Sequence, residues 1–312
     1  MKKIIVTGAL GHIGSQLIRD LPEAFPGSEI IMIDNMMTQR YCSLFNLPEA
    51  GRYQFFEDDV TTLDLDPIFK GADVVIHLAA VVDSAASVDQ KELVEKINLS
   101  STVRVAQACL DADIRMLHIS TASVYGPKTD RIDESCGGDE LVPQSPYAAV
   151  KIKEELHIQA LVKNHGLRAC TFRLGTIFGA SPGMRFQTAV NKFCWYAAKG
   201  QPIQVWSTAY DQRRPYLDVG DASRAMIHAL RKDLFDGNIY NIVTKNATVR
   251  EVVDVIRQQI PSVSVKFVDN KIMNSLSYSV MDDRIRATGY VPIGDLSKSL
   301  SHQIKMIKIP TF

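Results

Sequence analysis

Cysteine is scarce in this chain, and its spacing excludes two common kinds of site. The sequence has five cysteines in 312 residues, and no C-x-x-C pair is present. A zinc site or a disulfide framework needs clustered or regularly paired cysteines. We therefore expect reduced thiols, no bound metal and a cytoplasmic protein. The cysteines are Cys42, Cys109, Cys136, Cys170 and Cys194.

An excess of charge and long apolar runs are also missing. Lys plus Arg and Asp plus Glu each number 35, so the formal net charge is zero, and no bulk attraction to nucleic acid or to a membrane surface is expected. No apolar run approaches the roughly 20 residues that cross a bilayer. The first predicted strand begins within four residues of the N-terminus, which leaves no room for a signal peptide. We expect no nucleic-acid partner and no membrane association.

The most informative stretch that is present lies near the N-terminus. The apolar run Ile4-Ile5-Val6 leads into a turn with glycines at 8, 11 and 14, and an amphipathic segment follows. In a strand-turn-helix unit of this kind Gly8 permits the sharp bend, Gly11 lets the backbone approach a pyrophosphate, and Gly14 lets the helix pack near the strand. The N-H groups at the start of that helix then bind the phosphates. An ordinary tight turn is the alternative interpretation.

Asp34 gives the glycine-rich turn more weight. It follows Gly14 by 20 residues and ends the second predicted apolar run, 30–33. A carboxylate in that position accepts hydrogen bonds from the ribose hydroxyls of adenosine and repels a 2′-phosphate. The sequence therefore predicts NAD rather than NADP. A surface aspartate is the alternative.

Strand and helix patterns alternate along the first part of the chain, which indicates an α/β fold with a doubly wound parallel sheet, the Rossmann arrangement. Beyond residue 180 the elements are smaller and less regular. We expect an NAD-binding domain over 1–180 and a smaller α/β substrate lobe over 181–312, with their segments interleaved. The predicted strands of the sheet are 4–7, 30–35, 53–60, 72–80, 115–120 and 169–174.

Tyr147 and Lys151 stand four residues apart at the start of a predicted helix, so both side chains lie on one face. A phenol is a weak base at neutral pH, but a neighbouring ammonium and the positive nicotinamide ring favour its phenolate. Tyr147 then removes a proton from a sugar hydroxyl while Lys151 also holds the nicotinamide ribose. A Thr121 hydroxyl would share the hydrogen bond to the reacting oxygen. A tyrosine near a surface lysine is the alternative.

Together these motifs resemble the extended short-chain dehydrogenases/reductases, specifically the NAD-dependent epimerase/dehydratase family that acts on nucleotide sugars. The resemblance covers nearly the whole chain. It is carried by Thr7-Gly8-Ala9-Leu10-Gly11-His12-Ile13-Gly14, Asp34-Asn35, Asp59-Val60, His77-Leu78-Ala79-Ala80, Asn98, Ser120-Thr121-Ala122-Ser123-Val124-Tyr125-Gly126, Tyr147 with Lys151, and Arg214 ahead of Asp218-Val219 and Asp221.

The resemblance implies roles for individual residues. The catalytic residues would be Thr121, Tyr147 and Lys151. The NAD site would comprise Gly8, Gly11, His12, Ile13, Gly14, Asp34, Asn35, Asp59, Val60, Leu78, Ala79, Ala80, Asn98, Tyr147 and Lys151. Substrate would be held by Thr121, Ser123, Tyr147, Thr176, Arg185, Asn191 and Arg214, with Asn191 and Arg214 on the diphosphate. For Asn191 the alternative is a helix surface, and for Arg214 a solvated basic pair with Arg213. Thr176 stands where many members of the family have asparagine.

The residues after Thr121 favour one reaction over another. In the 4,6-dehydratases of this family the sequence at this position resembles Thr-Asp-Glu. This chain has Ala122 and Ser123 after Thr121 and so lacks the acid pair. We therefore expect epimerisation of a nucleotide sugar, with C4 as the expected carbon, by transient oxidation and hydride return. A dehydrogenase that releases its keto product, a short-chain-type threonine dehydrogenase and a non-catalytic NAD sensor are the alternatives. By resemblance we also expect a homodimer.

Overall fold

A seven-stranded parallel sheet forms the centre of the molecule. The computed structural model describes residues 1–82, 91–126, 131–138, 141–143, 145–269 and 277–307. Within them the strands are β1 (Lys3–Thr7), β2 (Glu29–Asp34), β3 (Arg52–Glu57), β4 (Val74–His77), β5 (Arg115–Thr121), β6 (Arg131–Ile132), β7 (Ala169–Leu174), β8 (Thr176–Phe178), β9 (Ile203–Trp206), β10 (Arg213–Asp218), β11 (Ile239–Ile242), β12 (Lys245–Thr248), β13 (Val265–Val268) and β14 (Ser279–Val280).

Helices cover both faces of the large sheet, whose strand order is β11-β7-β5-β4-β1-β2-β3. The described helices are α1 (His12–Ala24), α2 (Asp66–Phe69), α3 (Lys91–Asp111), α4 (Pro146–His165), α5 (Ala189–Ala198), α6 (Val219–Lys232), α7 (Val249–Gln259), α8 (Asp283–Ala287) and α9 (Leu296–Met306). Successive β1 side chains point to opposite faces, so Ile4 packs in the same cluster as α1 and α6, and Ile5 in the same cluster as α3 and α4. The doubly wound parallel sheet predicted from the sequence is confirmed.

Two predicted strands are shorter than expected, and the hydrogen bonds at their ends explain why. The third strand stops at Glu57 because the Asp59 carboxylate accepts the N-H of Thr61 at 2.8 Å and closes a turn. The fourth stops at His77, and beyond it the N-H of Ala79 donates to the Thr7 hydroxyl at 3.3 Å. Both endings release the chain at the carboxyl edge of the sheet.

The last strand of the large sheet comes from beyond residue 180. β11 pairs in parallel with β7, from Ile239 opposite Thr171 to Ile242 opposite Leu174, and α6 packs against α1. Segments from both sides of residue 180 therefore build this sheet, and the domain division at that residue stays a prediction.

A second group of elements surrounds a separate apolar cluster. It contains α5, α7 and α9 together with β9, and three small sheets accompany it, with the orders β12-β10-β8, β13-β9 and β14-β6. This is the smaller, mixed C-terminal part expected from the sequence. None of the helices in the described residues is both long enough and apolar enough to cross a bilayer.

Candidate active site

A cleft of about 480 Å³ runs along the carboxyl edge of the large sheet. Its walls come from the ends of β1, β2, β4, β5 and β7, the residues after β3, the start of α4 and the segment before α5. Strand order reverses between β1 and β4, and this is the place where open α/β sheets bind their ligands. The cleft is therefore the candidate site.

The glycine-rich turn has no room for side chains. Gly8 has a φ of +65°, and a Cβ added there would lie 2.6 Å from the backbone N of Ala79. A Cβ on Gly14 would lie 2.5 Å from the Gly8 carbonyl oxygen. The turn is thus pressed between β4 and the start of α1. The first residues of α1 line the cleft, and the N-H groups at the start of a helix suit a pyrophosphate. This geometry agrees with the reasons given for Gly8 and Gly14 from the sequence.

Asp34 and Asp59 are held as oriented acceptors at the same edge. The two Asp34 oxygens accept the backbone N-H groups of Leu10 and Met36, each at 3.0 Å, and a carboxylate retains further lone pairs for ribose hydroxyls. The Asn35 amide donates to Asp59 at 2.8 Å. Burial alone would raise the pKa of Asp59, but the hydrogen bonds from Thr61 and Asn35 outweigh burial and lower it.

Two guanidinium groups converge on this cleft, and the sequence reasoning identified one of them. Arg185 was expected to hold substrate, whereas Arg40 was not anticipated; both line the cleft. Burial and the charge of Arg185 lower the pKa of Arg40, while Asp34 opposes that shift. Like charges brought together favour an anionic ligand between them. Arg40 lies in a polar stretch without periodicity, so no sequence pattern identified it.

His12 links the turn to the segment that carries Arg185. Its Nε2 lies 2.9 Å from the carbonyl oxygen of Gly179, which can only accept, so Nε2 carries the proton. Burial lowers the pKa of His12 to about 4, so the ring is neutral at pH 7. Next to it the Ser15 hydroxyl accepts the N-H of Gly183 at 2.9 Å. The chain from 179 to 183 is therefore fastened onto the first turn of α1.

Tyr147 and Lys151 both line the cleft from the beginning of α4. Ser145 caps this helix, its hydroxyl accepting the N-H of Ala148 at 3.2 Å, and Pro146 occupies the first turn. The Lys151 ammonium lies 5.8 Å from the centre of the Tyr147 ring. The i, i+4 arrangement predicted from the sequence is present.

The sequence predicts that the Lys151 ammonium favours the phenolate of Tyr147, and the electrostatic environment in the structure differs from that expectation. Burial raises the pKa of the phenol, and the charges of Lys151 and Arg185 only partly oppose this effect, because the buried Glu154 adds to it. The pKa of Lys151 is itself raised, since Glu154 and Tyr147 outweigh its burial. Within this chain alone the phenol therefore stays protonated, and further positive charge in the cleft is needed to favour the phenolate.

Thr121 ends β5 with its hydroxyl oriented by the backbone. The oxygen accepts the N-H of Ser123 at 3.1 Å, so the hydroxyl proton is left to donate into the cleft, which Thr121 and Ser123 both line. This geometry suits a donor to a developing oxyanion.

Most of the predicted site residues meet in the cleft, and three do not. Asn98 binds the backbone of Val81 with both amide atoms, at 2.8 and 2.9 Å, and so shapes the cleft wall. The Asn191 amide donates to the Arg185 carbonyl oxygen at 2.9 Å. Arg214 lies over the Tyr278 ring. The predicted residues that line the cleft are Gly8, Gly11, His12, Ile13, Gly14, Asp34, Asn35, Asp59, Val60, Leu78, Ala79, Ala80, Thr121, Ser123, Tyr147, Lys151, Thr176 and Arg185.

The donor set of the cleft suits a dinucleotide. It combines a turn without side chains, an acceptor at the end of β2 and two guanidinium groups. In the parts of the chain that the structure describes, no three His, Cys, Asp or Glu side chains are grouped to hold a metal ion.

Comparison with known proteins agrees with this geometry. Residues 4–243 match the model of the NAD dependent epimerase/dehydratase family. A trifunctional UDP-glucose 4,6-dehydratase/UDP-4-keto-6-deoxy-D-glucose 3,5-epimerase/UDP-4-keto-L-rhamnose-reductase of Arabidopsis thaliana is 30% identical over 93% of this chain, which spans 44% of that protein's length.

Two solved structures are similar along their whole length. A UDP-glucuronic acid 4-epimerase from Bacillus cereus, in complex with UDP-glucuronic acid and NAD, is 25% identical with a TM-score of 0.89, covering 98% of this chain and 99% of its own. A dTDP-glucose 4,6-dehydratase from Streptomyces venezuelae with NAD bound is 25% identical with a TM-score of 0.85, covering 97% of this chain and 96% of its own. The chain belongs to the NAD-dependent epimerase/dehydratase family, whose members are enzymes that use NAD to modify nucleotide sugars.

Proposed function

We propose that the protein is an NAD-dependent nucleotide-sugar epimerase that inverts C4 by transient oxidation to a keto-sugar. The supporting observation is the distribution of carboxylates. Among the described residues that line the cleft, the acids are Asp34, Asp58 and Asp59, all at the ends of β2 and β3. Elimination of water needs an acid and a base beside the sugar, and the described lining near Thr121 and Tyr147 offers hydroxyls instead.

The residues of the cleft have separate roles in this reaction. Arg40 and Arg185 hold phosphates, and Asp34 accepts ribose hydroxyls. NAD held at the glycine-rich turn and Asp34 would supply the hydride chemistry at the sugar carbon. The Tyr147 oxygen takes the proton of the sugar hydroxyl and gives it back to the same oxygen, while the Thr121 hydroxyl donates a hydrogen bond to it. Lys151 keeps a positive charge beside the phenol.

A panel of UDP-, GDP-, CDP- and dTDP-sugars tests the proposal. We expect the purified protein to interconvert one pair of C4 epimers without added cofactor and without net formation of NADH, because hydride and proton both return to the sugar. Products are separated by chromatography. With NAD added, steady accumulation of NADH would instead identify a dehydrogenase that releases its keto product. A 4-keto-6-deoxy product would identify a dehydratase.

Asp34 provides a test of cofactor choice. Asp34→Asn keeps an acceptor for one of the two backbone N-H groups and removes the charge that repels a 2′-phosphate. Arg40, whose pKa responds to Asp34, is then available to bind that phosphate. We expect the preference for NAD over NADP to fall about tenfold or more, as for loss of a charged hydrogen-bond acceptor. Calorimetric titration with both dinucleotides measures it. Asp58→Asn, which changes a neighbouring acid, is the control; equal preferences in the Asp34 variant and wild type would contradict the assignment.

On the resemblance alone we also propose a homodimer located in the cytoplasm. Light scattering on the purified protein measures the first, and a monomer would contradict it.

A further inference from the structure

A carboxylate lies buried directly behind the Tyr147 and Lys151 pair. Glu154 follows Lys151 by one helical turn, its side chain is 0% exposed, and one of its oxygens lies 2.7 Å from the Lys151 ammonium. Sequence reasoning gave no role to this residue, and the mechanism above does not use it. Burial of an acid is costly unless it is paired and hydrogen-bonded.

Four neighbouring elements supply polar groups to Glu154 or next to it. From α3, the Thr102 hydroxyl donates to Glu154 at 3.0 Å. From β5, the Nε2 of His118 lies 2.9 Å away, and the other ring nitrogen of His118 faces the Thr171 hydroxyl of β7 at 3.3 Å. From β4, His77 reaches the same Thr102 hydroxyl at 3.3 Å. The contacts from Thr102, His118 and Lys151 all reach the same Glu154 oxygen, Oε2.

Burial and neighbouring charges determine the protonation of Glu154 and His77 at pH 7. Burial would raise the pKa of Glu154, but Lys151 and His118 outweigh burial and hold it well below its ordinary value. Burial lowers the pKa of His77 to about 3, so that ring is neutral at pH 7. The ion pair that faces Tyr147 is therefore Lys151 with Glu154.

The next residue along the helix has a different set of partners. The Glu155 carboxylate is held by Arg173 at 2.9 and 2.6 Å and by the Ser120 hydroxyl. Its charge is thus paired with a guanidinium on β7. Of the two successive acids, Glu154 is the one in direct contact with the lysine.

We propose that Glu154 is a positioning residue that anchors the Lys151 ammonium beside Tyr147 and sets the pH range in which this pair works. It acts through Lys151 in two ways. A buried lysine without a counter-charge tends to lose its proton, so Glu154 keeps Lys151 charged. The same negative charge offsets part of the lysine's attraction for the phenolate, so Glu154 also keeps Tyr147 protonated to higher pH. The proposal relies on the proposed function only in taking Tyr147 as the base.

Glu154→Gln is the decisive variant because it preserves shape and removes charge. Without the carboxylate, Lys151 loses its proton more easily, and Tyr147 loses its proton more easily while Lys151 remains charged. Both limbs of the pH profile of kcat/KM should therefore move to lower pH, by about one unit. A purely structural role would lower the height of the profile and leave the limbs in place.

Carbon-13 labelling at tyrosine Cζ gives a readout that needs no turnover. The NMR signal that disappears in Tyr147→Phe reports the titration of this phenol, and we expect its midpoint to fall in Glu154→Gln. Because this titration is independent of which sugar is converted, a protein without epimerase activity would refute the proposed function and leave this test intact.

Two further variants complete the experiment. Glu154→Asp keeps the negative charge but moves it away from Lys151. The limbs of its pH profile should therefore move in the same direction as in Glu154→Gln, but by less. If Glu154→Gln fails to fold, Glu154→Asp alone tests the proposal. Glu95→Gln is the matched control, since Glu95 pairs with Lys153 at the surface of α3 and α4; its limbs should match wild type. Unmoved limbs and an unmoved phenol titration in the Glu154 variants would overturn the proposal.

Discussion

Tyr147→Phe is expected to reduce turnover by roughly 10²–10⁴-fold, the usual contribution of a positioned acid or base, while leaving the fold and NAD binding intact. The ring lines the cleft beside Lys151, 5.8 Å from the ammonium, and phenylalanine keeps that ring while removing the only atom that can carry the proton. Since the hydroxyl is needed both to take the proton and to return it, kcat should fall much more than KM rises.

The control for this variant is a tyrosine outside the cleft. Tyr196 lies on α5 with the Lys192 ammonium 5.7 Å from its ring centre, so Tyr196→Phe removes a similar hydroxyl next to a similar charge without touching the site. Turnover, thermal unfolding and NAD content are measured for both variants. Retained turnover in Tyr147→Phe with a normal Tyr196→Phe would rule out the phenol as the base.

The large sheet was predictable from the sequence because its strands are short apolar runs bounded by turn-forming or polar residues. Ile4-Ile5-Val6 leads into glycines at 8, 11 and 14. In the structure Gly8 has a φ of +65°, and a Cβ added at Gly14 would lie 2.5 Å from the Gly8 carbonyl oxygen. At these glycines the local turn conformation and the tertiary packing favour the same residue type. The cleft therefore appeared where the turn and Asp34 placed it.

Other parts depend on contacts between segments far apart in the chain, which no local pattern encodes. β12 pairs in antiparallel fashion with β10, and β14 pairs with β6 across about half the sequence. Strands this short show no hydrophobic periodicity in the sequence, so their partners could not be predicted from it. Arg40 lines the cleft, and the chain after β2 is joined to the glycine-rich turn, where the Ser43 hydroxyl donates to the Leu10 carbonyl oxygen at 2.8 Å. Asn191 and Arg214 were predicted to hold substrate, and that stays a prediction. In the structure the Asn191 amide donates to the Arg185 carbonyl oxygen, and Arg214 lies over the Tyr278 ring and donates to the Gln212 side chain at 3.0 Å.

Glu154 and Glu155 show a different limit of sequence reasoning. An acid in a helix is normally interpreted as part of a solvated face. Here α4 is packed on one side by α3 and on another by β5 and β7, so two successive acids are both buried, with Glu154 0% and Glu155 3% exposed. Their charged partners are Lys151 and Arg173, and only the assembled fold shows that these charges are compensated.

Glu155→Leu is expected to destabilise the protein by about 3–5 kcal/mol, because removing one member of a buried ion pair leaves the other charge uncompensated. Arg173 is 2% exposed, and Glu155 holds it through two hydrogen bonds. Burial lowers the pKa of Arg173, and the Glu155 carboxylate more than offsets that effect. After the carboxylate is lost the guanidinium still keeps its charge, because an arginine side chain does not lose its proton near neutral pH. Urea unfolding measures the free energy of unfolding.

Two comparisons separate the loss of the partner from the loss of contact area. Asp254→Ala breaks an exposed pair with Arg257 and should cost no more than about 1 kcal/mol. Glu155→Leu combined with Arg173→Met removes both charges, and a buried pair replaced by apolar side chains is often neutral in stability, so the double variant should regain most of the loss. The Ser120 hydroxyl, which donates to Glu155, would lose that acceptor in the double variant and limit the recovery. A double variant as unstable as Glu155→Leu alone would mean that packing, rather than an unpaired guanidinium, causes the loss.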